Sequence, residues 1–243
     1  GEDKEDNYTF LQFLGSLRKT LTLGMQQETS RYVILAAMLR VLAGMACASF
    51  LPIYFLKVFP GYKEEYAVAN AAALAICGLV SSMAGGIISD KFESKNLMAK
   101  SYVCIVSSLM TFPLTALCCL NQHSFWFSMG MITLKTLMSA AFSSPAITMI
   151  QNTTSKKNQG RLISAYMFFT TISSTIAPIL FSAFSKNLGA AANPSIYGYI
   201  ITVFALIGYW GSLPFWYMAG KSYKKFMEAQ RLQQAQQLAD ARA

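Results

Sequence analysis

Residues 68–95 read VANAAALAICGLVSSMAGGIISDKFESK, and the run Val68–Ser89 contains no Asp, Glu, Lys or Arg. At about 1.5 Å of rise per residue, a helix of that length crosses the roughly 30 Å hydrocarbon layer of a bilayer. Backbone groups left unpaired in lipid are too costly, so a single segment of this kind crosses as a helix. Asp90 and Lys91 then mark the return to water.

Five further runs meet the same test. The predicted spans are Tyr32–Phe59, Val68–Ser89, Ala99–Leu120, Ser124–Ile150, Leu162–Phe184 and Tyr197–Ala219. Of the 243 residues, 54% are hydrophobic and only 13% charged; a soluble domain carries about 25% charged residues. The fold class is therefore all-α, a polytopic transmembrane helical bundle. Five spans contain an internal proline (Pro52, Pro113, Pro145, Pro178 and Pro214). Membrane bundles tolerate these because neighbouring helices and Ser/Thr side chains satisfy the freed backbone groups.

The net charge of +9 does not point to nucleic acid, because the basic residues lie between the apolar runs rather than along one polar face. Fifteen of the 20 Lys and Arg residues fall in the N-terminal arm, the loops after spans two and four, and the tail. Three (Lys57, Lys63 and Lys186) fall on the opposite side. By the positive-inside rule both termini are cytoplasmic, and the sequons at Asn7 and Asn152 face the cytoplasm. Gly1–Asn7 is acidic and does not read as a signal peptide, so the chain reads as a processed or excised piece. In the arm, Phe10, Phe13, Leu14, Leu17 and Leu21 recur at helical spacing. They predict an amphipathic helix on the membrane surface or against a cytoplasmic partner. The five cysteines (Cys47, Cys77, Cys104, Cys118 and Cys119) sit in apolar runs without metal-ligand spacing and read as small buried hydrophobes. No metal or cofactor is implied.

The remaining two cations are Arg40 in span one and Lys135 near the middle of span four. A charge there costs at least about 2.5–3.5 kcal/mol on insertion scales, and no Asp or Glu lies within a predicted span to pair with either. Arg40 either snorkels to the nearer surface or faces a cavity. Lys135 is too far from both surfaces to snorkel readily, and its face offers Ser128, Ser139 and Ser143. The two cations are expected to face water, an anionic ligand, or acids on another segment. An intramembrane enzyme is disfavoured, because no His or acid stands inside a span to act as a general base.

Small residues at Gly78, Ser82 and Gly86 predict a close helix approach by span two. Then Gly86-x-x-x-Asp90-Lys91-x-x-x-Lys95 resembles the signature loop of the major facilitator superfamily, found after the second span of each six-span half. Glu93 and Ser94 replace the family's usual Gly and Arg, which loosens the turn and removes one cation. Lys156-Lys157-Asn158-Gln159-Gly160-Arg161 is similar to the family's basic loop between its fourth and fifth spans. Span one and its following loop are similar to spinster-like members.

The resemblance covers essentially the whole chain. It implies a cytoplasmic linker with an amphipathic helix (1–30), a six-span half-bundle of two inverted three-helix repeats (31–220) and a cytoplasmic tail (221–243). It further implies a solute carrier working by alternating access on a small anionic or zwitterionic solute, with a second, N-terminal six-span half as partner. Spans one and four, which carry Arg40 and Lys135, correspond to the cavity-lining first helices of the two repeats. Arg40, Lys135, Ser128 and Ser139 are the expected substrate-binding residues, and Gly86, Asp90, Lys91, Lys95 and Arg161 the expected gating residues. In the second, Asp90 is expected to meet span five near Gly160–Arg161. The alternative is a structural, non-transporting subunit of a larger membrane complex.

Overall fold

The computed structural model describes residues 10–190 and 193–240. Among these there are helices and no strands. An arm helix, Phe10–Gln26, precedes six helices long and apolar enough to span a membrane. They are span one (Glu28–Val58), span two (Pro60–Glu93), span three (Ala99–Leu120), span four (Phe125–Asn152), span five (Lys156–Asn187) and span six (Ser195–Asp240). All six predicted runs lie on these helices, several of which continue past the apolar stretch. Because the connections are short, the starts of spans one, three and five lie at the same end of the bundle as the finishes of spans two, four and six. That end carries most of the basic residues and is called the basic end below.

Three spans depart from a regular α-helix. Span two has a π-turn at Ala73–Cys77. Span four tightens to a 3-10 turn at Ala140–Phe142, then restarts with Pro145 in its first turn. Span six has a π-turn at Leu206–Trp210, and Pro214 opens the next helical segment. Proline at a helix start costs little, because that N–H has no partner in any case.

The close approach of span two is real, but its register differs from the one expected. The buried stripe is Ser81, Gly85 and Ser89, while Gly78 faces open space. Pro145 has no N–H for the carbonyl of Ala141, one turn earlier. A Cβ built on Gly85 would lie 2.1 Å from that carbonyl oxygen, so only glycine allows the two spans to meet here. Gly86 borders the same contact, where a Cβ would lie 2.7 Å from Ser144 Oγ.

The core has two large apolar clusters, with a small third one of Ala43, Ala205 and Tyr209. One, at the end opposite the basic end, is aromatic and includes Tyr54, Phe55, Phe59, Tyr66, Phe125 and Phe181. The other, at the basic end, includes Val33, Ile34, Leu162, Tyr166, Trp216 and Tyr223. Large apolar side chains also cover the outside, for example Leu74, Ile76, Leu79, Met83 and Ile87 on span two. An apolar exterior is what a lipid solvent selects.

The arm helix packs on its own chain. A Cβ on Gly24 would lie 2.9 Å from Ala165 Cβ of span five, and Leu23 and Met25 join the cluster at the basic end. The side chains of Phe10, Phe13, Leu14 and Leu17, and the sequon at Asn7, lie outside the described residues.

Candidate functional site: a polar belt between two apolar clusters

Between the two clusters the interior turns polar. Arg40 enters from span one and is 2% exposed. Its Nη2 donates to Ser107 Oγ at 2.7 Å and to the carbonyl of Ser139 at 2.6 Å. Its Nη1 donates to Ser108 Oγ. The guanidinium carbon lies 4.3 Å from the ring centroid of Phe142 and 5.3 Å from that of Tyr209. Both rings reach the cation from irregular turns, the 3-10 turn of span four and the π-turn of span six. A wide turn rotates the following side chains off the regular helical positions, which brings Tyr209 inward. Ser212 adds a hydroxyl 3.4 Å from Ser108.

Of the two expectations for Arg40, snorkelling to the surface is not what the structure shows: the side chain turns into the bundle. Two hydroxyls, one carbonyl and two aromatic faces hold it within this chain. A guanidinium is weakly hydrated and planar, so neutral dipoles and rings accommodate it where a compact ammonium would need more. Its Nε remains buried without a hydrogen-bond partner.

Lys135 has a different environment. It is half-buried, one turn along span four from the buried Ile132 and next to the buried Thr136. Among the described residues it forms no ion pair.

The expected serines contribute unevenly. Ser128 is fully buried, and its hydroxyl donates to the carbonyl of Asn121 at 3.0 Å. That point is seven residues before Lys135, about 10 Å along the helix, so Ser128 secures the start of span four. Ser139 takes part through its carbonyl; its hydroxyl bonds back to Thr136. A groove between spans two, three and four, about 610 Å³ and mostly apolar, is lined by Ser107 but by neither cation.

At the basic end, Asp90 meets span three rather than span five. Its carboxylate lies 2.9 Å from Lys100 Nζ. The turn after span two places Lys100, at the start of span three, nearer than Arg161. Lys100 is buried and also pairs with Glu93. Glu93 accepts a hydrogen bond from the Tyr223 hydroxyl of span six, which itself accepts one from Asn152 Nδ2 of span four at 2.9 Å. Lys100, Glu93, Tyr223 and Asn152 thus tie four span ends together. Lys91, Lys95 and Arg161 are exposed.

Sequence reasoning missed Ser107, Ser108, Tyr209, Glu93 and Tyr223. For the serines a signal existed. Ser101, Cys104, Ser108, Thr111, Thr115 and Cys118 recur every three or four residues in span three and are all buried, whereas Tyr102, Val106, Leu109 and Leu117 are exposed. A membrane helix with its small and polar face inward is an inverted amphipath.

The family model for the Major Facilitator Superfamily matches residues 33–230. Among solved structures, the chain is similar to a bacterial homolog to the human lysosomal transporter Spinster, in an inward-facing and unoccupied conformation. The TM-score is 0.68 and the identity 16%, over 93% of this chain and 53% of that one. The chain thus spans about half the length of that relative. No curated protein matches the sequence.

Proposed function

Because the chain belongs to the major facilitator superfamily, we propose that it supplies the C-terminal six-span half of a transporter that moves a small anionic or zwitterionic solute by alternating access. The observation that carries this reading is Lys135, a half-buried ammonium in mid-span without an ion-pair partner among the described residues, in contrast to an Arg40 whose two terminal nitrogens are both engaged. In this reading Lys135 takes the negative group of the solute. Arg40 adds positive potential to the belt and locks spans one, three and four in register, with its one free Nε–H available on the buried side. Ser128 and Ser139 shape the belt rather than touch the solute. The turns in spans four and six sit beside the belt, where a bending helix would couple solute binding to movement. Gly86, Asp90, Lys91, Lys95 and Arg161 would act at the basic end, taken as cytoplasmic, against an N-terminal six-span half. Proton coupling, if used, would draw on carboxylates of that half.

The experiment is uptake of labelled organic anions, zwitterions and neutral solutes by proteoliposomes containing the intact protein and its Lys135→Met and Lys135→Arg variants. A charge-assisted hydrogen bond is worth about 1.5–3 kcal/mol, so uptake of an anionic solute should fall roughly 10- to 100-fold in the Met variant. Part should remain in the Arg variant, which keeps the charge with a different shape. Uptake of neutral solutes alone, or undiminished anion uptake by Lys135→Met, would refute the proposal.

A further inference from the structure

A second basic cluster lies far from the belt, in a cleft of about 460 Å³ between the arm helix and the start of span five. Arg18, Lys19, Thr22 and Gln26 line it from the arm, and Asn158 and Arg161 from span five. The three cations are exposed toward it, and none takes part in the ion pairs among the described residues, which involve Lys100 and Lys224. Neither helix has an acidic residue in its first turn, and no acid among the described residues lines the cleft.

The walls of the cleft are firmly placed. Gly24 seats the arm helix against Ala165 at a separation that a larger residue would not permit. The arm ends at Gln27, whose amide donates to the Thr153 carbonyl and accepts from the hydroxyls of Thr154 and Ser30, each at 3.1 Å. This clamp fixes Arg18 and Lys19 relative to Arg161. Three like charges held together repel one another, and an anion between them removes that cost. The positive end of the span-five helix adds to the same field; Ser155, at its N-cap, places no side-chain acceptor there.

We propose that this cleft is a binding site for a phosphate group, carried either by a phospholipid headgroup or by a soluble phosphate. Two guanidinia, one ammonium and two side-chain amides present several donors from two directions, which suits the oxygens of a phosphate better than a single carboxylate. The cleft lies where the apolar length of span five ends, at the level of a headgroup. The proposal goes beyond the transport reading and does not depend on it.

The test compares the intact protein with an Arg18→Gln/Lys19→Gln/Arg161→Gln variant and with a charge-matched Lys221→Gln/Lys224→Gln/Lys225→Gln control at the end of span six. Binding is measured by native mass spectrometry with added phosphatidylglycerol or phosphatidylcholine, and by calorimetry with inorganic phosphate. Each basic residue near an anionic surface contributes about a factor of five, so the cleft variant should bind phosphatidylglycerol roughly 100-fold more weakly, while the control, whose lysines do not line the cleft, should lose distinctly less. Arg161→Gln alone, at an exposed position, keeps the helices intact and should cost about fivefold. Loss of phosphatidylglycerol binding in the cleft variants identifies a lipid ligand. Saturable inorganic phosphate binding lost in the same variants, without lipid preference, identifies a soluble one. Equal losses in the control, or no loss in either cleft variant, would overturn the site.

Discussion

Arg40 and Lys135 are both cations within the spans of an apolar bundle. Yet Arg40 has three hydrogen-bond acceptors and two ring faces, whereas Lys135 has no ion-pair partner among the described residues. A buried charge with every neighbour arranged around it is part of the packing. A buried charge without such an arrangement is available for something else. On that difference the proposed function gives the two cations separate roles.

The largest test of that contrast is folding stability. Arg40→Leu would leave the hydroxyl of Ser108 and the carbonyl of Ser139 without their partner and would disturb the contact with Phe142. The expected loss is about 3 kcal/mol, from unsatisfied polar groups and imperfect repacking. Lys135→Met removes a half-buried charge that has no ion-pair partner among the described residues and should leave thermal stability in detergent unchanged or raised. Equal losses for both variants would erase the distinction.

The same contrast recurs on a smaller scale at the basic end. The Glu93 side chain is 20% exposed and connects Lys100 with Tyr223, while that of Asp90 is 63% exposed and meets Lys100 alone. Glu93→Gln should lower stability by about 1–3 kcal/mol, because it weakens charge-assisted contacts around a buried ammonium. Asp90→Asn should cost less than about 1 kcal/mol, as exposed ion pairs do. Chemical denaturation of the two variants side by side checks the order, and a larger effect at Asp90 would reverse it.

The number of spans and their places were legible because lipid imposes a length and a polarity that a single sequence carries in full. The two interior cations were legible because charge in an apolar run is costly wherever the helix sits. What each cation meets was not, since that depends on partners distant in sequence: Ser107 and Ser108 lie 67 and 68 residues from Arg40. The stripe on span two was read as Gly78, Ser82 and Gly86, but Ser81, Gly85 and Ser89 are buried. Small residues occur on both sides of that helix, and the side that packs is the one where Gly85 meets the Ala141 carbonyl. Similarly, Asp90 was assigned to span five because a charged helix end does not reveal its partner. Glu93, read as a departure from the family pattern, turned out to be the acid that joins span two to span six.

The most direct measurement is water accessibility at the two cation positions. In the intact protein with Cys47, Cys77, Cys104, Cys118 and Cys119 replaced, single Lys135→Cys and Arg40→Cys variants would be treated with a membrane-impermeant thiol reagent, with and without a transported anion. Rapid labelling at 135, slowed by the anion, with little labelling at 40, is the expected result. No labelling at 135, or equal labelling at both positions regardless of the anion, would contradict the assignment of Lys135 to a solute-accessible cavity.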